Sequence, residues 1–286
     1  IAVLSQVPER WAERVRRWSR LATPHRTGDW PDRPTEYLFW QTLVGAWPIS
    51  ADRLTAYLRK ATREAKVHNS WTRVNAEYET ALEFFARQVL GDKALMEDFT
   101  AFLAEIEPAA RVASLAQMLI KLTAPGVPDL YQGNELWDHS LVDPDNRRAV
   151  DFKLRRRLLA ELAGLDARDV LARADEGLPK LWVIHRALAL RALRPEWFGP
   201  GAGYAPLAVH GAHAQRIVAF ARLGKVVTVV PCRCFPPPGG WQDTTVVLPA
   251  GPFSPRLHAG PAVQGPVPVA DLLAAFPVAL LAAEEP

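Results

Sequence analysis

Apolar residues recur every three or four positions over most of the first 200 residues, then crowd into short alternating or unbroken runs. The first pattern predicts helices and the second predicts strands. Trp11, Val15, Trp18 and Ala22 share one face, with Pro8 near the first turn. Leu38, Leu43 and Val44 mark a second helix that stops at the Trp47–Pro48 step, because a residue before proline is pushed out of helical backbone. Ser50 is placed to cap a third helix carrying Leu54, Tyr57, Leu58 and Ala61, and Asn75 a fourth carrying Tyr78, Leu82, Phe85 and Val89. Leu95, Phe99, Phe102 and Ile106 predict a fifth. Pro108, a favoured first-turn residue, is expected to open a sixth with Val112, Leu115, Leu119 and Leu122. Two more follow on Leu154, Leu158 and Leu162, and on Leu181, Ile184, Leu188 and Arg191.

One stretch breaks this rhythm. Between Thr123 and Phe152 the chain reads APGVPDLYQGNELWDHSLVDPDNRRAVDF. Gly126–Tyr131 is a short strand candidate, and a long polar loop follows it. Helix, short buried strand, then a polar loop is the order found in β/α barrels. One strand makes no barrel, so the remaining strands would lie upstream of Ile1. After residue 200, Arg216–Arg222 and Lys225–Pro231 predict two strands joined at Leu223–Gly224. Thr244–Leu248 predicts another and Tyr204–Val209 a weaker one. Ala262–Val269, broken by Pro266 and Pro268, fits an edge strand at best. The expected fold is thus α/β then all-β: a mostly helical C-terminal part of a (β/α)8 barrel over residues 1–197, and a small antiparallel β-sandwich over 198–286.

Composition sharpens that division. Residues 201–286 hold only nine charged side chains but 13 of the 25 prolines and nine of the 17 glycines, as strands joined by turns require. Over the whole chain, 34 basic against 31 acidic residues leave a net charge of +3, which offers no electrostatic case for nucleic acid. No apolar run approaches the roughly 20 residues of a membrane helix, so no membrane partner is expected. Two cysteines in 286 residues exclude a disulfide scaffold and suit a reducing, cytoplasmic location. The chain opens on Ile1 with no secretory pattern, which suggests a start inside a longer protein.

The polar loop carries the candidate chemistry. Tyr131 would stand at the C-terminal end of the strand, where barrel active sites are built. Asp138, Asp143, Asp145, Asn146, Arg147 and Arg148 follow within a few residues. Carboxylates, an amide and guanidiniums together suit a ligand rich in hydroxyl groups. The same residues equally suit a loop whose charges pair with one another. Cys232 and Cys234 lack a second cysteine pair and His210 and His213 lack nearby carboxylates, so no metal is expected. The glycines at 199, 201 and 203 have neither a preceding strand nor a following helix, so no phosphate loop is expected.

The pattern Gly126, Pro128, Tyr131, Gly133, Glu135 resembles the segment at the eighth barrel strand of the α-amylase superfamily, glycoside hydrolase family 13. The continuation through residue 152, together with residues 37–48, 60–79 and 186–222, is similar to a trehalose-forming branch of that superfamily. The resemblance implies an isomerase that turns the reducing-end α-1,4 linkage of a maltooligosaccharide into an α,α-1,1 linkage by intramolecular transglucosylation, without a cofactor. It implies retaining chemistry between two carboxyl groups about 5–5.5 Å apart. It also implies three catalytic carboxylates upstream, the third in a His-Asp pair before the eighth strand. Residues 1–125 contain no such pair, so no residue here is expected to be catalytic and the chain alone is expected to be inactive. The resemblance implies substrate contact at Tyr131, Glu135, Asp143, Arg147, Lys66 and Trp71. Glu135 could equally anchor its loop, and Lys66 could equally belong to a solvated helix face with Lys60, Arg63 and Glu64. The branch tends to carry Thr where this chain has Asn69, which leaves that position's role open. Another hydrolase of the superfamily and a non-catalytic α-glucan-binding module remain open as alternatives.

Overall fold

The computed structural model describes residues 1–284. Its contacts divide into two compact units, Ile1–Glu107 with His139–Ala149, and Pro108–Asp138 with Val150–Pro286. The compositional division at residues 197 and 198 therefore falls inside the second unit. Among the described residues no helix is long and apolar enough to cross a membrane, and no group of three His, Cys, Asp or Glu is placed to hold a metal ion.

The first unit is built on helices α1 (Pro8–Leu21), α2 (Arg33–Ala46), α3 (Ala51–Ala65) and α4 (Ala76–Gly91). Their starts follow from local chemistry. The Ser50 hydroxyl accepts from Arg53 N and the Asn75 amide oxygen from Tyr78 N, each satisfying a donor with no partner inside its helix. The apolar stripes meet in an aromatic core. Trp18, Trp40, Phe39, Phe85, Phe99 and Phe102 are fully buried, with the Trp18 ring 5.3 Å from Phe99 and 5.4 Å from Trp40. Trp18 Nε1 donates to Asp98 Oδ2 at 2.7 Å, so its one polar group is not stranded.

Helix α5 (Lys93–Thr123) corrects one expectation, because Pro108 lies inside it and opens no separate helix. Proline removes the donor that would reach the carbonyl four residues back, and its ring crowds that carbonyl. The flanking Ala, Leu and Glu residues favour helix strongly enough to carry the chain through. The second unit continues with α6 (Phe152–Glu161), α7 (Ala167–Ala172) and α8 (Leu178–Leu193). The short α7, which apolar spacing does not mark, is fixed by a reciprocal cap between Asp166 and Asp169.

Eight strands follow: β1 (Ala205–Pro206), β2 (Val209–His210), β3 (Ile217–Arg222), β4 (Val226–Pro231), β5 (Thr245–Val247), β6 (Phe253–Pro255), β7 (Pro266–Pro268) and β8 (Ala279–Ala283). They form two antiparallel sheets, of order β1-β3-β4-β8-β6 and β2-β5-β7. The weak 204–209 candidate thus splits between the sheets, and the proline-broken run supplies the edge strand β7. Leu223, Gly224 and Lys225 turn β3 into β4, with positive φ at the first two, the backbone hand that suits a tight turn between twisted strands. Strand β4 is buried along its whole length, and its alternation explains why. Val226 and Val230 join a core cluster with Leu122, Leu158, Trp182 and Ile184 of the helices, while Val227 and Val229 join Val246 and Val267 of the smaller sheet. Helices and sheet thus share one core, which is why the contacts ignore the change in composition.

Candidate functional site

Residues 126–131 form no strand, contrary to expectation. The segment pairs with no strand among the described residues, and Val127 is 95% exposed. Apolar content and a flanking glycine do not make a strand without a neighbour to complete its hydrogen bonds. The loop after it is nevertheless held firmly. Gly133 takes a φ of 95° that favours glycine. Glu135 Oε2 accepts from Gly133 N at 3.0 Å and from Arg155 Nε at 2.9 Å, and Arg155 Nη2 returns a bond to Gly133 O at 2.8 Å. Buried Lys180 donates from Nζ to Leu136 O at 3.1 Å, and burial pushes its ammonium below the ordinary value. Trp137 Nε1 donates to Ala174 O at 2.6 Å. Glu135 is therefore engaged as the anchor of its turn, while the Tyr131 side chain is half-exposed.

The continuation, residues 139–149, belongs to the first unit and is anchored by a different carboxylate. Asp145 accepts from Arg53 Nε at 2.9 Å, Arg53 Nη2 at 2.8 Å and Leu141 N at 2.7 Å. The Arg53 guanidinium, with the amide, pushes the Asp145 carboxyl down to about 2. Arg53 also donates to His139 O, and Lys60 Nζ to Asp143 O. Two side chains of α3 thus pin this segment. The Asp143 carboxylate itself turns outward and pairs with Arg147, whose Nη2 donates to Oδ2 at 3.0 Å. Both are exposed, which leaves the pair open to a hydroxyl-rich ligand.

Lys66 and Trp71 lie in the connection between α3 and α4. Lys66 closes α3 in a left-handed conformation, φ 58°. It lines a polar cavity of about 660 Å³ with His68, Asn69, Ser70 and Arg73. Trp71 is exposed and stands outside that lining, with the Arg63 guanidinium carbon 4.9 Å from its ring centre. Asn69 is buried and holds the connection together. Its Nδ2 donates to Glu79 Oε1 at 2.6 Å and its Oδ1 accepts from Asn75 N at 2.8 Å. Glu79 also takes two bonds from Arg63, at 2.6 and 2.9 Å, which hold its carboxyl below the usual range. Arg53, Glu79 and Lys180 are organising residues that sequence reasoning passes over, and Asn69 is one whose role it leaves open. Their partners lie 6 to 92 positions away, and only the caps at Ser50 and Asn75 gave a local sign of where these segments fold.

No family model matches the chain. A Mycobacterium tuberculosis protein described as "Putative maltooligosyl trehalose synthase" is 38% identical over 289 residues, covering 98% of this chain and 35% of that protein. The structure of maltooligosyltrehalose synthase from Arthrobacter ramosus superposes with a TM-score of 0.86 at 37% identity, over 99% of this chain and 36% of that one. A hypothetical maltooligosyl trehalose synthase of Sulfolobus tokodaii gives 0.76 at 30% identity, over 98% and 36%. The chain is related to the maltooligosyl trehalose synthases. It spans about 35% of the length of the curated synthases it matches. The likeness to these synthases runs through both compact units, so it takes in the α3–α4 connection and both halves of the polar segment alike.

Proposed function

We propose that the chain is a C-terminal part of a maltooligosyl trehalose synthase of glycoside hydrolase family 13. In this reading it lines part of the site that converts the reducing-end α-1,4 linkage of a maltooligosaccharide to α,α-1,1. Residues 126–131 serve as the last barrel strand once neighbouring strands complete their hydrogen bonds. Residues 1–197 belong to the barrel with its helical insertion, and 198–286 form a sandwich domain. The observation that carries this reading is the 38% identity sustained over 98% of the chain. Its residues bind and orient while carboxylates elsewhere in the synthase break and re-form the glycosidic bond. The exposed Asp143–Arg147 pair accepts from and donates to sugar hydroxyls, Lys66 donates from its cavity, and Tyr131 and Trp71 offer ring faces. Glu135 acts through the turn it anchors. A content of only two cysteines in 286 residues supports a reducing, cytoplasmic setting.

The test is a graft. The matching segment of the Arthrobacter ramosus synthase is replaced by residues 1–286, and the product from maltopentaose is measured. A non-reducing trehalosyl product is expected. A folded graft that only releases reducing sugar favours a hydrolase, and one that binds glucan without turnover favours a binding module; either overturns the proposal. Asp143→Ala in the active graft should lower transfer at least tenfold, as loss of a charge-assisted hydrogen bond of about 1.5–3 kcal/mol implies. The isolated chain should give no trehalosyl product.

A further inference from the structure

The second unit holds two guanidiniums that no carboxylate balances. Arg222, at the end of β3, is 2% exposed. It donates to four carbonyls: from Nε to Gly203 O, from Nη1 to Thr123 O, and from Nη2 to Phe198 O and Gly199 O, at 2.6 to 3.2 Å. Arg191, in the last turn of α8, donates from Nη1 to Leu122 O at 2.9 Å and lies 4.7 Å over the Phe198 ring. Most of its N–H groups have no partner among the described residues. Neither arginine forms an ion pair there. Both are lowered by burial, and Arg222 lowers Arg191 further.

Charges removed from water are ordinarily paired. The carbonyls these arginines meet, at the end of α5 and at Phe198, Gly199 and Gly203, carry only partial charge. Arg222 is the buried member of the pair and meets carbonyls alone, while Arg191 is only partly buried and keeps N–H groups to offer. Both arginines line a cavity of about 630 Å³, a size that holds a small organic molecule. Its other walls are mostly apolar or aromatic, including Val127, Phe198, Pro200 and Tyr204. Tyr204 is half-exposed and its ring lies 5.0 Å from Phe220.

We propose that this cavity binds a small organic oxyanion, with the Arg191 guanidinium taking the charged head, Arg222 supplying the fixed field, and Phe198 and Tyr204 flanking a flat apolar body. A phosphate and a carboxylate head share this chemistry. The site uses none of the residues assigned to glucan, though Gly126 and Val127 border it and lie in the segment proposed as the last barrel strand; anion titration reads it separately from glucan turnover.

The test is calorimetric titration of the 286-residue chain with phenyl phosphate, benzoate, inorganic phosphate and neutral benzamide. Phenyl phosphate and benzoate should bind, whichever is tighter identifying the preferred head. Inorganic phosphate should bind more weakly and benzamide not at all. Arg191→Gln should weaken both organic anions roughly tenfold or more, as loss of a charge-assisted contact implies, with an unchanged melting temperature. Should that variant fail to fold, Tyr204→Ala decides, since it keeps both guanidiniums: phenyl phosphate must lose its advantage over inorganic phosphate. No heat with either organic anion, equal binding of benzamide, or phenyl phosphate affinity unmoved by these variants overturns the site.

Discussion

The polar segment after α5 is two half-loops with opposite dependencies. Residues 133–138 hang on Glu135, Arg155, Lys180 and the close approach of Gly177. Residues 139–149 hang on Asp145 and α3. In each half one carboxylate, Glu135 or Asp145, turns inward to collect donors, and in the second Asp143 turns outward and pairs with its neighbour Arg147. In sequence these acids look alike. What makes an anchor of Glu135 or Asp145 is a partner supplied by another element, Arg155 of α6 or Arg53 of α3.

That contrast can be broken in steps. The largest effect should come from Gly177→Ala. The residue sits at φ 80°, and an added Cβ would meet Leu136 Cβ at 2.9 Å and Trp137 N at 3.0 Å. Backbone strain and overpacking together should cost about 2–4 kcal/mol, read by urea unfolding. Arg53→Ala comes next. It strands a mostly buried carboxylate and should cost about 2 kcal/mol. It should also raise protease cutting at 139–149 without affecting 133–138.

The second half should also respond to acid. The folded Asp145 carboxyl lies at about 2, below its unfolded value near 3.9. The unfolded chain therefore binds the proton first as pH falls, and stability drops between roughly pH 5 and pH 2. Asp145→Asn should flatten that part of the melting-temperature profile and leave the neutral region parallel. An unchanged slope in the variant would show that Asp145 is not linked to folding. The smallest effect should be Asp143→Ala in the isolated chain, within about 0.5 kcal/mol, since exposed pairs four residues apart contribute little. A collapse in melting temperature there would make Asp143 an anchor as well.

The sequence reveals what is local. Ser50 and Asn75 announce their helices because a cap is completed within three residues, and Leu223–Gly224 announces its hairpin for the same reason. It misleads where a distant partner decides. Pro108 carries a helix-starting preference that its flanking helix formers override. Gly126–Tyr131 has the look of a strand and pairs with none among the described residues. Strand β8 is Ala-Leu-Leu-Ala-Ala, a run of helix formers that becomes a strand because β4 and β6 receive it on both edges. At the candidate site, Glu135 and Asp143 were visible as acids, but Glu135 meets Arg155, 20 positions away, whereas Asp143 meets Arg147, four positions away.

The position of β8 constrains how the protein can be made. It is threaded between β4 and β6, both of which leave the ribosome earlier. The β3–β4 hairpin must therefore wait with one open, valine-rich border until a much later stretch of chain arrives to close it. A stalled or clipped polypeptide lacking Ala279–Ala283 would present that sticky border to its neighbours, so clumping of incomplete chains is the hazard this order of strands creates during synthesis.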